Sequence, residues 1–224
     1  MTSAERVPAQ MRDMPFERIM DVLKRMTDWK KAGIGGTRLR SRIAGRGLDG
    51  PSIDLLLDIQ STRSRSIEKY PDGDRLFFTS EGLRWATPRS AADHCARRLA
   101  SANSADVTCG QGGQAISLSR TCDRVIAIEK DPLNVYIACL NFRELGLDNI
   151  ELIQGDCLDP DMVRRVGEGS PVFSDPARPS GSTERTLGEL VPDPREVIRS
   201  YEGRACGFCF EVPPYLSRDR IDFP

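Results

Sequence analysis

The sequence predicts an α/β protein in which a parallel, doubly wound sheet over residues 76–224 follows a small, basic, mainly helical N-terminal domain over residues 1–75. Three observations carry this. Residues 105–129, ADVTCGQGGQAISLSRTCDRVIAIE, read as one complete β-α-β nucleotide-binding unit. An apolar strand brings Asp106 into a turn containing Gly110, Gly112 and Gly113, a helix follows, and a second apolar strand delivers Glu129. Beyond it, apolar strands keep alternating with helical patterns, which implies parallel strands joined by crossovers. Before it, apolar residues recur at the 3.6-residue spacing of a helix in a segment rich in Lys and Arg.

In chain order, residues 1–11 show no pattern, and a helix is expected to begin near Pro15, with Phe16, Ile19, Met20, Leu23 and Met26 on one stripe and Trp29 one turn on. The glycine-rich basic stretch 33–50 breaks the period and reads as a mobile loop or short elements around Leu39 and Ile43. Pro51, at the first helical position, opens a second helix through Leu55, Leu56 and Ile59. Leu76, Phe77 and Phe78 read as a short strand, and Thr79 can cap the turn behind it. Thr87-Pro88 repeats the device for a helix over 88–100, with Ala91, Ala92, Cys95 and Leu99 facing the sheet. His94, the only histidine and without a second ligand nearby, reads as a structural or surface residue.

In the central unit the glycines let the backbone turn tightly and approach a ligand before the helix starts. Glu129 follows Gly110 by about 20 residues, at a strand end where a carboxylate can accept two hydrogen bonds from a ribose diol. Asp131-Pro132 caps a helix through Leu133, Ile137 and Leu140 to Gly146. A third strand over 150–153 ends in Gln154-Gly155-Asp156-Cys157, and a fourth over 171–173 in Ser174-Asp175-Pro176-Ala177-Arg178. A fifth, over 206–212, contains Glu211 and ends in Pro213-Pro214-Tyr215. In such sheets ligands bind at the carboxyl ends of the strands, and each of these acids falls at or near one.

A length of 224 residues with 39% hydrophobic content suits one α/β core of roughly 130 residues and a smaller appended domain. No run of about 18 apolar residues and no apolar leader is present, so a soluble, cytoplasmic protein is expected. The seven cysteines are odd in number and spread through apolar segments, as reduced core thiols would be. Cys206 and Cys209 form a C-x-x-C, but in a strand they point to opposite faces and cannot share a metal, so no metal site is expected. Residues 1–100 carry 19 Lys+Arg against 13 Asp+Glu, whereas residues 101–224 carry 13 against 20. The surplus concentrates at Lys24, Arg25, Lys30, Lys31, Arg38, Arg40, Arg42 and Arg46, interrupted by Asp28 alone. That suits a module that binds a polyanion such as RNA, and equally a solvated surface without a partner.

The succession D-V-T-C-G-Q-G-G, A-I-E-K-D-P, N-I-E-L-I-Q-G-D and F-S-D-P-A-R-P resembles the class I S-adenosylmethionine-dependent methyltransferases across residues 105–215. The form of the motifs, and the lead-in F-F-T-S-E-G-L-R-W-A-T-P at 77–88, is similar to the prokaryotic RNA-methyltransferase-like group related to trimethylguanosine-synthase enzymes and THUMP-like-domain proteins. The resemblance implies a Rossmann-like sheet and S-adenosyl-L-methionine as cofactor. Gly110 and Gly112 would pass under its methionine end, with Asp106 orienting the amino group through water. Glu129 would hold the ribose, Asp156 the adenine amino group and the Cys157 N–H the ring, with Thr108, Cys109 and Lys130 completing the cofactor-binding set.

Relatives that methylate amines use an [Asp/Asn/Ser]-Pro-Pro-[aromatic] loop, whose side-chain oxygen and backbone carbonyl accept the two N–H bonds of an exocyclic amine. Asp175-Pro176 supplies both acceptors here, but Ala177 and Arg178 stand where proline and the aromatic would be. Tyr215 is a replacement stacking platform and Glu211 a second carboxylate; Arg178 suits a phosphate or a base, or an ion pair with Glu211. The full sheet of such enzymes ends in an antiparallel hairpin. Only about nine residues follow Tyr215, so that hairpin is expected to be missing and the fifth strand to be an edge, closed by a second protomer or left by a shortened chain. The expected function is N-methylation of a base in structured RNA; the alternative is a catalytically silent module that binds cofactor and RNA or a protein partner.

Overall fold

Asp106, Glu129, Asp175 and Glu211 reach one end of a five-stranded, all-parallel sheet through the order in which its strands are laid down. The computed structural model describes residues 6–179, 186–212 and 221. Four helices open the chain, α1 (Ala9–Arg12), α2 (Phe16–Lys31), α3 (Gly36–Ala44) and α4 (Gly50–Ser66). Then come α5 (Ser80–Trp85), α6 (Arg89–Arg98), β1 (Asn103–Asp106), α7 (Gly113–Leu118), β2 (Arg124–Glu129), α8 (Pro132–Leu145) and β3 (Ile150–Gln154). The chain continues through α9 (Pro160–Arg165), β4 (Ser170–Ser174), α10 (Pro194–Tyr201) and β5 (Ala205–Phe210). The spatial order β3-β2-β1-β4-β5 puts β1 at the centre, and the direction of winding reverses between β1 and β4. In sheets of this kind ligands bind at that reversal, at the carboxyl ends of the strands.

The two-residue period of the strands divides the core. Val125 and Ala127 of β2 pack into one apolar layer with Ala96, Ile116, Ala138 and Phe142. Ile126 and Ile128 pack into the other with Val166, Val197 and Tyr201. Helix α8 is apolar on more than one side because it has two partners. Ala138 and Phe142 face the sheet, whereas Ile137 and Leu140 join Ile19, Leu23, Met26, Leu39, Ile43, Leu56 and Ile59 of the N-terminal helices. Its ends follow the expected chemistry: the Asp131 carboxylate accepts the amides of Leu133 and Asn134, and Gly146 closes it at φ +65°. Among the described residues no helix is long and apolar enough to cross a membrane.

Several local expectations are decided, or fail, for identifiable reasons. Of the two alternatives for 33–50, a mobile loop or short elements around Leu39 and Ile43, the second holds: residues 36–44 form a regular helix, because burying Leu39 and Ile43 against α2 and α4 outweighs the poor helix propensity of its glycine start. Residues 76–78 pair with no strand. The Asn141 side chain instead accepts the Phe77 N–H at 2.7 Å and donates to the Phe77 carbonyl at 2.9 Å, replacing one rung of a ladder with a side-chain amide. Thr87 caps nothing, its hydroxyl being used elsewhere, and α6 buries Ala92, Ala96 and Leu99 while Ala91 stays exposed. Cys206 is exposed whereas Cys209 packs on the core, and all seven cysteines are free thiols. β5 pairs only with β4 among the described residues, and its Phe208 and Phe210 stack on each other at 6.1 Å.

Asn141 is wholly buried and also donates to the Gln111 carbonyl at 2.9 Å. Asn141→Ala leaves three buried backbone groups without partners and should lower unfolding free energy by about 2 to 4 kcal/mol. Urea denaturation measures it; a loss below about 1 kcal/mol would show that water takes over those bonds.

Candidate functional site

The glycine turn is held from below by the sheet and from the side by Glu129. The Cys109 N–H donates to the Ile128 carbonyl at 2.9 Å, so the chain crosses from β1 onto β2 before turning. The Gly110 N–H then donates to one Glu129 carboxylate oxygen at 2.8 Å, while the other accepts the Asp131 N–H at 2.8 Å. Gly110 (φ +54°) and Gly112 (φ +96°) both need the left-handed region. Their surroundings differ. A Cβ on Gly112 would lie 2.7 Å from the Phe142 ring and one on Gly113 2.6 Å from the Tyr70 hydroxyl, so these two are required by packing, whereas a Cβ on Gly110 would meet nothing within 4 Å. The open side of the turn is thus at Gly110, where a ligand can approach the backbone.

Four acids converge above the turn. Asp106 is fully buried; one of its oxygens accepts the Thr108 N–H at 3.3 Å, and Oδ2 has no partner. Burial, then the charges of Asp175 and Glu129, push its carboxyl up to about 8. The Asp175 N–H donates to the Thr108 hydroxyl at 2.6 Å, which fastens the end of β4 to the loop after β1. Burial first, then the neighbouring Glu211, raise the Asp175 carboxyl to about 7. Glu211 follows β5, with its N–H on the Ser174 carbonyl at 2.9 Å and its carboxylate accepting the Thr87 hydroxyl at 2.7 Å.

The remaining predicted residues spread along the rim. Asp156 is exposed, its carboxylate accepting the Leu158 N–H at 3.0 Å. Cys157 is buried beneath it, its carbonyl accepting the Tyr201 hydroxyl at 2.8 Å and its thiol pushed up to about 12 by burial. Burial likewise holds the Cys109 thiol well above the ordinary range, which disfavours the thiolate at both cysteines. Lys130 is exposed beside Glu129. Pro176 is buried, Ala177 and Arg178 are exposed, and Ala177 exchanges both backbone bonds with Val191 at 2.8 Å. Tyr215 lies outside the described residues.

The sequence reading missed a polar network behind the turn. The Gln111 side chain accepts the Thr79 N–H at 3.0 Å and donates to the Thr79 hydroxyl at 2.8 Å and the Asn134 side chain at 3.1 Å. Gly82 has no Cβ because one would sit 2.1 Å from the Gln111 amide. The only signal was the capping-competent Thr79 followed three residues later by glycine; that their partner is Gln111 depends on the fold.

Residues 102–192 match the sequence family described as RNA cap guanine-N2 methyltransferase. A solved protein of Porphyromonas gingivalis W83, provisionally named a methyltransferase, superposes with a TM-score of 0.64 at 14% identity, over 84% of this chain and 47% of its own. The chain thus spans about half the length of that protein. An rRNA methylase of Streptococcus thermophilus gives a TM-score of 0.40 at 19% identity, over 52% of this chain and 63% of its own. A Streptococcus mutans protein, also provisionally named a methyltransferase and solved with S-adenosylhomocysteine, gives 0.41 at 14%, over 53% and 66%. The fold is that of the class I methyltransferases, whose cofactor is S-adenosylmethionine.

The residues fit that cofactor. Its ammonium needs an acceptor, and Asp106 Oδ2 is a buried one without a partner. Its ribose needs a carboxylate at the end of β2, and Glu129 is held there by two backbone N–H groups with lone pairs to spare. Its close passage needs an uncrowded backbone, which Gly110 supplies.

Because Asp106 and Asp175 hold their protons more tightly folded than unfolded, the folded state binds more protons between the ordinary value of 3.8 and about 7 to 8. Stability is therefore greatest at the acid end of that window and falls as pH rises through it. Thermal melts of the protein alone should show Tm dropping from pH 5.5 to 8.5, and Asp106→Asn should flatten the slope while weakening cofactor binding. A Tm independent of pH would mean that neither acid is held neutral.

Proposed function

We propose that this protein is an S-adenosylmethionine-dependent methyltransferase that N-methylates a base in structured RNA, within the group related to trimethylguanosine-synthase enzymes and THUMP-like-domain proteins. The observation that carries the reading is the 2.6 Å bond from the Asp175 N–H to the Thr108 hydroxyl, which sets the Asp175-Pro176 acceptors directly beside the cofactor cradle. When bound, S-adenosylmethionine supplies an electrophilic methyl group. Asp175 accepts one N–H of the exocyclic amine and aligns its lone pair; as the N–C bond would form and the methyl's S–C bond break, its carboxylate would take the proton that the nitrogen loses. Pro176 offers its carbonyl to the second N–H. Thr108 fixes the height of Asp175, so the acceptor nitrogen arrives in the near-attack geometry that supplies most of the rate.

RNA as the substrate is supported by the basic helices. Within them Arg25 and Arg46 pair with Asp21, Arg40 pairs with Asp54, and Arg42 lies over Trp29 at 5.6 Å. Lys24, Lys30, Lys31 and Arg38 are exposed and have no ion-pair partner among the described residues, which leaves them for phosphates. Closure of the β5 edge by a second protomer is part of the same reading. A catalytically silent module is favoured by one feature, the commitment of Ala177 to Val191 where an aromatic would be expected.

Asp175→Ala should slow single-turnover transfer of labelled methyl to RNA by about 10² to 10⁴ while leaving cofactor affinity within a few fold, with Asp175→Asn milder. Transfer at the wild-type rate would move the site to Glu211; no transfer by wild type would favour the silent module. For RNA affinity, log K should fall with log salt by about 0.7 to 0.9 per phosphate contact. Changing Lys30, Lys31 and Arg38 to Gln should flatten that slope by about two or three units. A slope unchanged by these three would place the RNA on another face.

A further inference from the structure

We infer that Trp85 is the stacking platform for the acceptor base, holding a splayed-out nucleobase of a polynucleotide while its exocyclic amine meets Asp175. The inference rests on the base-methylating reading above and names a residue that no motif assigns to it.

Trp85 closes α5, and its side chain is 69% exposed, the highest value among the exposed large hydrophobic residues described and the only aromatic one. An isolated exposed apolar residue is ordinary on a protein surface. What distinguishes this one is how firmly the backbone beneath it is tied to the site. At the start of α5, Thr79 accepts the Gly82 N–H at 3.0 Å and is itself held by the Gln111 amide of the glycine turn. At its end, the Lys69 ammonium donates to the carbonyls of Leu83, Arg84 and Ala86 at 2.8, 3.1 and 2.6 Å. The Tyr70 hydroxyl donates to the Thr87 carbonyl at 2.7 Å, and the Thr87 hydroxyl donates to Glu211 at 2.7 Å. The carbonyls of residues 83, 84, 86 and 87 are thus all held by other elements, and the indole between them is left to solvent.

The place and chemistry fit a base. Thr87 lies two positions after Trp85, at most about 7 Å along the chain, and the Thr87 hydroxyl touches the carboxylate beside Asp175. Asp175 and Glu211 together call for a donor of more than one N–H, as an exocyclic amine is. No ring stands after Pro176 to hold the flat body of such a group, since Ala177 is small and bridged to Val191. The Arg84 guanidinium lies over one face of the indole, 4.9 Å from its centroid, which leaves the opposite face for a base and sets a cation close by for its phosphate. A base inside a duplex cannot reach such a ring, so the occupant is a loop or single-stranded nucleotide.

The test uses the full chain with Trp29→Phe as background, so that Trp85 is the only tryptophan and reports its own surroundings. Titration with a mixed-sequence single-stranded oligoribonucleotide should quench its emission, and Trp85→Ala in the unmodified chain should raise the KM for total RNA about ten- to hundredfold. Trp85→Phe should recover most of that loss, and cofactor affinity by calorimetry should stay within twofold for both. Methyl transfer with an unchanged KM in Trp85→Ala would overturn the inference and leave the enzyme reading standing. If wild type transfers no methyl, that reading falls, and the titration decides Trp85 by itself: no quenching overturns the platform. Self-association lost in Trp85→Ala, with the RNA titration silent, would make it a contact between copies and would also overturn it.

Discussion

Two backbone N–H groups from different elements, Gly110 on the turn and Asp131 at the head of α8, end on the one carboxylate of Glu129. Charge-assisted bonds of this kind are about twice as strong as neutral ones, and here they also set a register. They fix the height of the turn over β2 and the start of α8 together. Helix α8 then supplies Asn134 and Asn141 to Gln111 and places Phe142 against Gly112. The lead-in segment, the turn and the helix are therefore aligned by one acid whose own place is set by the end of a central strand.

The site departs from ordinary protein electrostatics in a way that the rest of the molecule does not. Elsewhere carboxylates are answered: Glu151 holds Arg124 and Arg165, and Asp72 holds Arg89 and Arg120. At the carboxyl end of the sheet Asp106, Asp175 and Glu211 gather, and burial together with neighbouring acids raises the carboxyls of both aspartates. Lys69, whose charge is favoured by Glu211, directs its protons to the carbonyls that end α5. Gathering acids in a poorly solvated place costs stability, and such costs persist where the uncompensated charge is used. A ligand carrying an ammonium and a sulfonium would bring positive charge to this place.

The N-terminal helices do two jobs through separate faces. Their apolar face joins Phe77, Ile137 and Leu140 in one core and so braces α8 and the lead-in from behind the site. Their outward face is basic but partly self-neutralised, as Asp21 takes two arginines and Asp54 a third. The positive field available to a polyanion is thus narrower than the composition suggests.

What the sequence determined by itself was whatever depends on neighbours along the chain. The 2.0 and 3.6 periods set the strands and helices; Asp131-Pro132 and Gly146 set the ends of α8; and the positive-φ turn of Gly110 and Gly112 placed Asp106 and Glu129 at adjacent strand ends. Only the tertiary structure decided partnerships between residues far apart. Residues 76–78 looked like a strand, but Asn141 reaches them across a separation of 64 residues, and an apolar triplet cannot show whether its backbone will meet another strand or a side chain. Thr87 looked like a cap and serves Glu211, 124 residues away, instead. Gly112 looked like a ligand glycine and is also a packing glycine, because Phe142 fills the space a Cβ would need. Each of these turns on which surfaces meet when the layers close, and hydrophobic burial that drives the closure is non-directional.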